Sequence, residues 1–180
     1  MANPATDATV IACCGCDFST HAVHLALVTR DRVEAQKVIG LDGNFNHQAQ
    51  LLDAAFNDWQ PGFGCAPALV IEQAFHHFEH SNPDTTIKLA MTMGFIIAMA
   101  ARHGYTIYRL SPSEWRSLAG VPIHHKGSPG MRKRADLKSA AIALVKQEYG
   151  LDVLSDDAAE AILMGRVGVG LLARDSKRDS

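Results

Sequence analysis

The chain has 180 residues, 47% hydrophobic and 20% charged, an ordinary globular composition that fits one domain with a sizeable core. A formal net charge of −2 and a pI near 6.5 exclude a global attraction to nucleic acid, so any DNA contact must come from a local basic patch. The small, polar start at Met1–Thr9 is unlike a secretory leader, the apolar run Leu89–Ala101 is short for a bilayer, and three of the four cysteines crowd into Cys13–Cys16 rather than spreading as a disulfide framework; a soluble, cytosolic protein is expected.

Residues 1–8 read as a loose leader. Val10–Cys16 is small and apolar, a first strand that runs straight into a carboxylate, Asp17. Val23–Thr29 and Val33–Ile39 follow after short polar turns at Ser19–His21 and Thr29–Arg32, which predicts a three-stranded antiparallel meander. From Phe45 to Trp59, Leu51, Leu52, Ala55, Phe56 and Trp59 recur at helical spacing. Ala68–Ile71 is a continuous apolar run, as in a strand buried on both faces, and again it ends in a carboxylate, Glu72. A charge there costs several kcal/mol unless it is compensated or reaches solvent where the strand ends.

Asn82-Pro83 predicts a helix start, with Asn82 as cap and Pro83 in the first turn. The helix through Arg102 is apolar nearly all round and is expected to be buried, in part against another subunit. Tyr105–Leu110 reads as a fifth strand and Pro112–Ala119 as a short helix capped by Ser111 or Ser113. A loop rich in Gly and Pro follows, then helices over Arg134–Tyr149 and roughly Asp156–Leu172. A strand–helix–strand crossover is right-handed and parallel. The expected fold is therefore α/β: a mixed five-stranded sheet, three antiparallel strands then two parallel ones, with helices on both faces. It forms a single domain over 1–180, with 120–132 as a flexible basic loop and 173–180 as a loose end.

In such a sheet Asp17 and Glu72 emerge at one rim, where catalytic groups commonly sit. Asp157 and Glu160, three apart, share a helix face, and Ala158, Ala159 and Ala161 let that helix lie close to the sheet. Asp156 also faces Glu160, so spacing does not choose between the two aspartates, and either suits a helix N-terminus electrostatically. Four carboxylates at one rim repel unless cations bind. Hard oxygen ligands suit Mg²⁺ or Mn²⁺, and two such ions about 3.5–4 Å apart can clamp both oxygens of a phosphodiester displacement. Lys126, Arg132, Lys133, Arg134 and Lys138 form the basic patch; it precedes a helix N-terminus, which the helix dipole does not favour but phosphate binding does. Affinity for DNA should then fall steeply with salt. Cys13 and Cys16 have Cys-x-x-Cys spacing without a second pair, so buried strand cysteines are expected rather than zinc. His76, His77 and His80 are expected at a loop facing phosphate or solvent, with His124 and His125 beside the basic patch.

Gly15-Cys16-Asp17-x-Ser19, Ile71-Glu72-Gln73-x-Phe75 and Asp157-Ala158-Ala159-Glu160-Ala161 resemble, in order, the three acidic motifs of RuvC-type Holliday junction resolvases; the segment from Asn82 to Leu89 resembles the start of that family's long helix. The similarity spans about Ile11 to Gly165. It implies a ribonuclease H-like fold and a homodimer that resolves four-way DNA junctions in recombination and repair, using Mg²⁺ or Mn²⁺, in a bacterial cell or encoded by a phage. It further implies that Asp17, Glu72, Asp157 and Glu160 are catalytic metal ligands, that Phe75 stacks on bases at the junction, and that Lys138 lies near the scissile phosphate. One departure is that the fourth acid, often Asp in the family, is Glu160 here. The alternatives are a related ribonuclease H-like nuclease on flaps, branched DNA or hybrids, and a non-catalytic DNA-binding module of the same fold.

Overall fold

The computed structural model describes residues 11–41, 43–59, 67–73, 82–123 and 133–178. Strands β1 (Ala12–Phe18), β2 (Ala22–Thr29) and β3 (Val33–Gly40) form the expected meander. Its turns are closed locally: Ser19 Oγ accepts from the backbone N–H of His21 and Ala22, both at 3.1 Å, and the Thr29 N–H donates to Arg32 O at 2.9 Å. Helix α1 (Phe45–Asp58) leads to β4 (Ala68–Glu72), α2 (Pro83–Arg102) to β5 (Thr106–Leu110), and α3 (Pro112–Ala119), α4 (Arg134–Tyr149) and α5 (Asp156–Asp175) complete the order. The sheet order is β3-β2-β1-β4-β5, with β4 parallel to both β1 and β5. This is the mixed five-stranded sheet read from the sequence, with helices on both faces.

Period-2 alternation sorts β1 and β4 between two cores. Cys13 on β1 with Ala68 and Val70 on β4 packs under α3, α4 and α5. Cys14 and Cys16 with Leu69 and Ile71 packs under α1 and α2. Cys13, Cys14 and Cys16 are thus buried strand thiols outside any disulfide among the described residues. Because alternation is strict, Gly15 and Asp17 face the same side as Cys13, and Glu72 the same side as Val70.

Element boundaries shift by a few residues from the sequence reading. The first strand starts at Ala12 and includes Asp17, and the last helix runs on to Asp175, where Tyr108 Oη on β5 donates to Asp175 Oδ2 at 2.7 Å. Helix α2 is covered on one side only. Asn82 caps it as expected, its Oδ1 accepting from the Asp84 N–H at 2.9 Å. Yet only Met93, Ile96 and Ala100 are buried, while Ile87 and Met91 are 56% and 51% exposed. Within one chain, then, one row of side chains meets the sheet and the opposite row is bare. At 20 residues α2 is also long and apolar enough to cross a membrane by length and composition, because residues 83–88 extend the short run weighed from the sequence.

Candidate active site

Asp17 and Glu72 are brought together by the parallel pairing of β1 and β4, in which Cys16 lies opposite Ile71, the residues just before each acid. The pairing of β4 with β5 continues through Glu72, and the Gln73 N–H donates to Leu110 O at 2.7 Å, which fixes where Glu72 leaves the sheet. Helix α5 delivers the other acids. Ser155 caps it, accepting from the Ala158 N–H at 3.1 Å, and Asp156 and Asp157 stand in its first turn, where the helix dipole favours negative charge.

What lets α5 come so near the sheet is a row of small residues. A Cβ added at Gly15 would stand 1.9 Å from Ala161 O and 2.3 Å from Gly165 N. Added at Gly168, it would stand 2.1 Å from Cys13 Sγ. Ala161, Gly165 and Gly168, spaced four and three apart, lie on one helix stripe directly over β1. This close approach sets Glu160, only 6% exposed, over Asp17.

The electrostatics record the crowding. The Asp17 carboxyl is pushed up to about 8, first by burial and then by the negative charges of Glu160, Glu72 and Asp157, with the Phe18 N–H opposing. Asp156 pairs with Lys138, whose Nζ also lies 3.8 Å from Asp157 Oδ1, while Asp157 approaches His24, the residue opposite Asp17 in the β1–β2 pair. Of the two aspartates left open by spacing, Asp157 is the one that faces Asp17.

Three residues that the sequence reading did not single out touch these acids. Trp115, fully buried on α3, donates Nε1–H to Glu72 Oε2 at 2.6 Å. Arg116 donates from Nη2 to Glu160 Oε1 at 2.8 Å and lies 3.9 Å from Glu72 Oε2. His24, opposite Asp17 across the β1–β2 pair, places Nε2 3.7 Å from Asp157 Oδ2. The His24 contact could have been found from the tight Ser19–His21 turn, which fixes the hairpin register. Trp115 and Arg116 carry no such signal, since their position depends on how α3 docks.

The donors are all oxygens and hold more negative charge than Arg116 and Lys138 offset, a set whose chemistry fits a hard divalent cation. Among the described residues no three His, Cys, Asp or Glu side chains already stand in metal-holding geometry. Glu160 is engaged by Arg116, Glu72 by Trp115, and Asp157 lies near Lys138 and His24. Of the basic patch, Lys133 and Arg134 are exposed at the start of α4, and Lys133 makes no side-chain cap. Phe75, Lys126 and Arg132, with His76, His77, His80, His124 and His125, lie outside the described residues.

No protein-family model matches the chain, and no curated protein does. Among solved structures it is similar to Thermus thermophilus RuvC in complex with a Holliday junction substrate, at a TM-score of 0.66 and 14% identity over 92% of this chain and 96% of that one. It is also similar to Thermus thermophilus RuvC alone, at a TM-score of 0.64 and 15% identity over 92% and 97%. The chain therefore has the ribonuclease H-like fold in the form seen in RuvC, end to end through its described elements.

Proposed function

We propose that this protein is a divalent-metal-dependent endonuclease that resolves four-way DNA junctions by paired phosphodiester hydrolysis. The observation that carries the reading is the gathering of Asp17, Glu72, Asp157 and Glu160 from β1, β4 and α5, with Arg116 reaching both Glu72 and Glu160 and His24 bridging the strand of Asp17 to Asp157; burial first and the neighbouring acids second raise the Asp17 carboxyl to about 8. Such mutual repulsion is costly for stability and useful for holding cations. The likeness to an RuvC bound to a Holliday junction supports branched DNA as the substrate class.

In this reading the four acids would hold two Mg²⁺ or Mn²⁺ ions, which would supply an activated water and neutralise charge on the phosphate. The chain's own part is positioning. Close packing of α5 on Gly15 sets the spacing of Glu160 and Asp17, and the Trp115 bond fixes the Glu72 carboxylate. Lys133, Arg134 and Lys138, with Lys126 and Arg132, draw in the backbone phosphates, and Phe75 stacks on an opened base. Hydrolysis joins a water oxygen to phosphorus and breaks the bond to the 3′ oxygen, which takes up a proton. The bare row of α2, including Ile87 and Met91, supports a homodimer, as two opposed cuts require two sites.

The test is cleavage of a synthetic four-way junction against linear duplex, flap and RNA–DNA hybrid, with Mg²⁺ or Mn²⁺. Symmetric paired nicks in the junction, lost in Asp17→Asn and Glu72→Gln while junction binding persists, are the expected result. Preferential cutting of flaps or hybrids, or binding without cutting under either metal, overturns the resolvase reading.

A further inference from the structure

The cluster of acids contains a cation of its own. Arg116 is 15% exposed in its side chain, with Nη2 on Glu160 Oε1 at 2.8 Å and Glu72 Oε2 3.9 Å away. Its guanidinium carbon lies 4.5 Å from the centroid of the Trp115 ring, so the flat indole is its platform. The Nε–H is buried and has no hydrogen-bond partner in the protein. Arginine cannot give up its proton under any ordinary condition, so this charge is permanent.

Two facts make the arrangement more than a structural ion pair. Glu160 is almost fully buried, and an unpaired carboxylate there would be expensive; Arg116 is what makes its charge tolerable. Yet an ion held by Glu160 would share that carboxylate with a guanidinium seated on Oε1, and the two cations repel at such range. Metal and guanidinium are then rivals for one carboxylate. An Arg displaced from Glu160 would keep its indole platform and present a planar donor fork, including the unsatisfied Nε–H, beside the acids where a phosphate would lie.

We propose that Arg116 is a place-holding cation. It neutralises Glu160 while that ion position is empty, competes with the incoming divalent ion, and on displacement turns its fork to a DNA phosphate. This rests on the reading of Asp17, Glu72, Asp157 and Glu160 as metal ligands. It makes Arg116 a positioning residue that couples metal loading to the grip on the substrate.

The test is Mn²⁺ binding to DNA-free protein by titration calorimetry, for wild type, Arg116→Gln and Asp17→Asn, with folding checked by circular dichroism. Wild type should bind and Asp17→Asn should bind far more weakly, which tests the ligand reading by itself. Arg116→Gln should then bind Mn²⁺ on the order of tenfold more tightly, since one charge-assisted bond no longer opposes the ion. Unchanged or weaker Mn²⁺ binding by folded Arg116→Gln, with wild type and Asp17→Asn as expected, overturns the place-holder while leaving the ligands standing. Failure of the wild type to bind Mn²⁺ overturns both. Glu160→Gln gives a second readout that does not depend on the folding of Arg116→Gln. With chelator present it frees the guanidinium, so the salt dependence of junction binding should steepen by about one counterion; an unchanged slope overturns the switch to phosphate.

Discussion

The two faces of the sheet are built on opposite terms. On one, α5 lies so close to β1 that a single added carbon at Gly15 would collide with helix backbone. On the other, α2 offers the sheet one row of side chains and leaves Ile87 and Met91 in the open. The first face gathers every acid of the candidate site; the second gathers none. Tolerance for change should therefore be nearly zero on the α5 face and wide on the outer row of α2, because fixed backbone cannot give way while bare side chains have nothing to displace.

The sharpest way to break this contrast is Gly15→Ala. One methyl group should cost about 3 kcal/mol or more, since the obstructing atoms belong to the backbone of α5, and it should separate Glu160 from Asp17. Thermal unfolding together with nuclease assay checks it; a near-native melting temperature would mean that α5 can slide.

A milder probe is pH. The raised Asp17 carboxyl holds its proton in the folded protein up to about 8, whereas the unfolded chain loses it near the ordinary 3.8. The folded state thus binds more protons between those values, so the contribution is fully present below about 3.8 and is lost as pH rises through about 8. Metal-free protein should lose melting temperature across that window, and Asp17→Asn should lose less. By the same linkage, ion binding near pH 7 should release close to one proton, measurable by calorimetry in buffers of different ionisation enthalpy.

The smallest effect on stability is expected on the open face. Ile87→Asp should change unfolding free energy by no more than about 0.5 kcal/mol, because the side chain is more than half exposed. It should weaken self-association, seen by analytical ultracentrifugation, if α2 is the dimer surface. A stability loss comparable to that of Gly15→Ala would erase the distinction between the faces.

Much of the architecture was legible because it is written locally. The Ser19 and Thr29 turns fix the meander, Asn82 and Pro83 start α2, Ser111 with Glu114 forms a reciprocal cap on α3, and Gly150 ends α4. The acids were legible because apolar strands that end in a carboxylate are conspicuous. The partners of those acids were not, since Arg116 reaches Glu160 only through the docking of α3 against α5, a relation no periodicity encodes. The cover of α2 was left open for a related reason: an all-round apolar helix implies burial, but composition does not say whether the cover comes from its own chain.

The pairing of the first strand with the last helix also governs when a nascent chain completes its acidic cluster. Gly15 leaves the ribosome early, but the stripe that seals it, from Ala161 to Gly168, is made near the end of the described fold. At about 5–20 residues per second this separates the two halves of the site by roughly ten seconds. A truncated translation product that lacks α5 would thus lack Asp157 and Glu160 together with the cover over the β1 groove, and stalled synthesis would yield a sticky fragment with half of its acidic cluster.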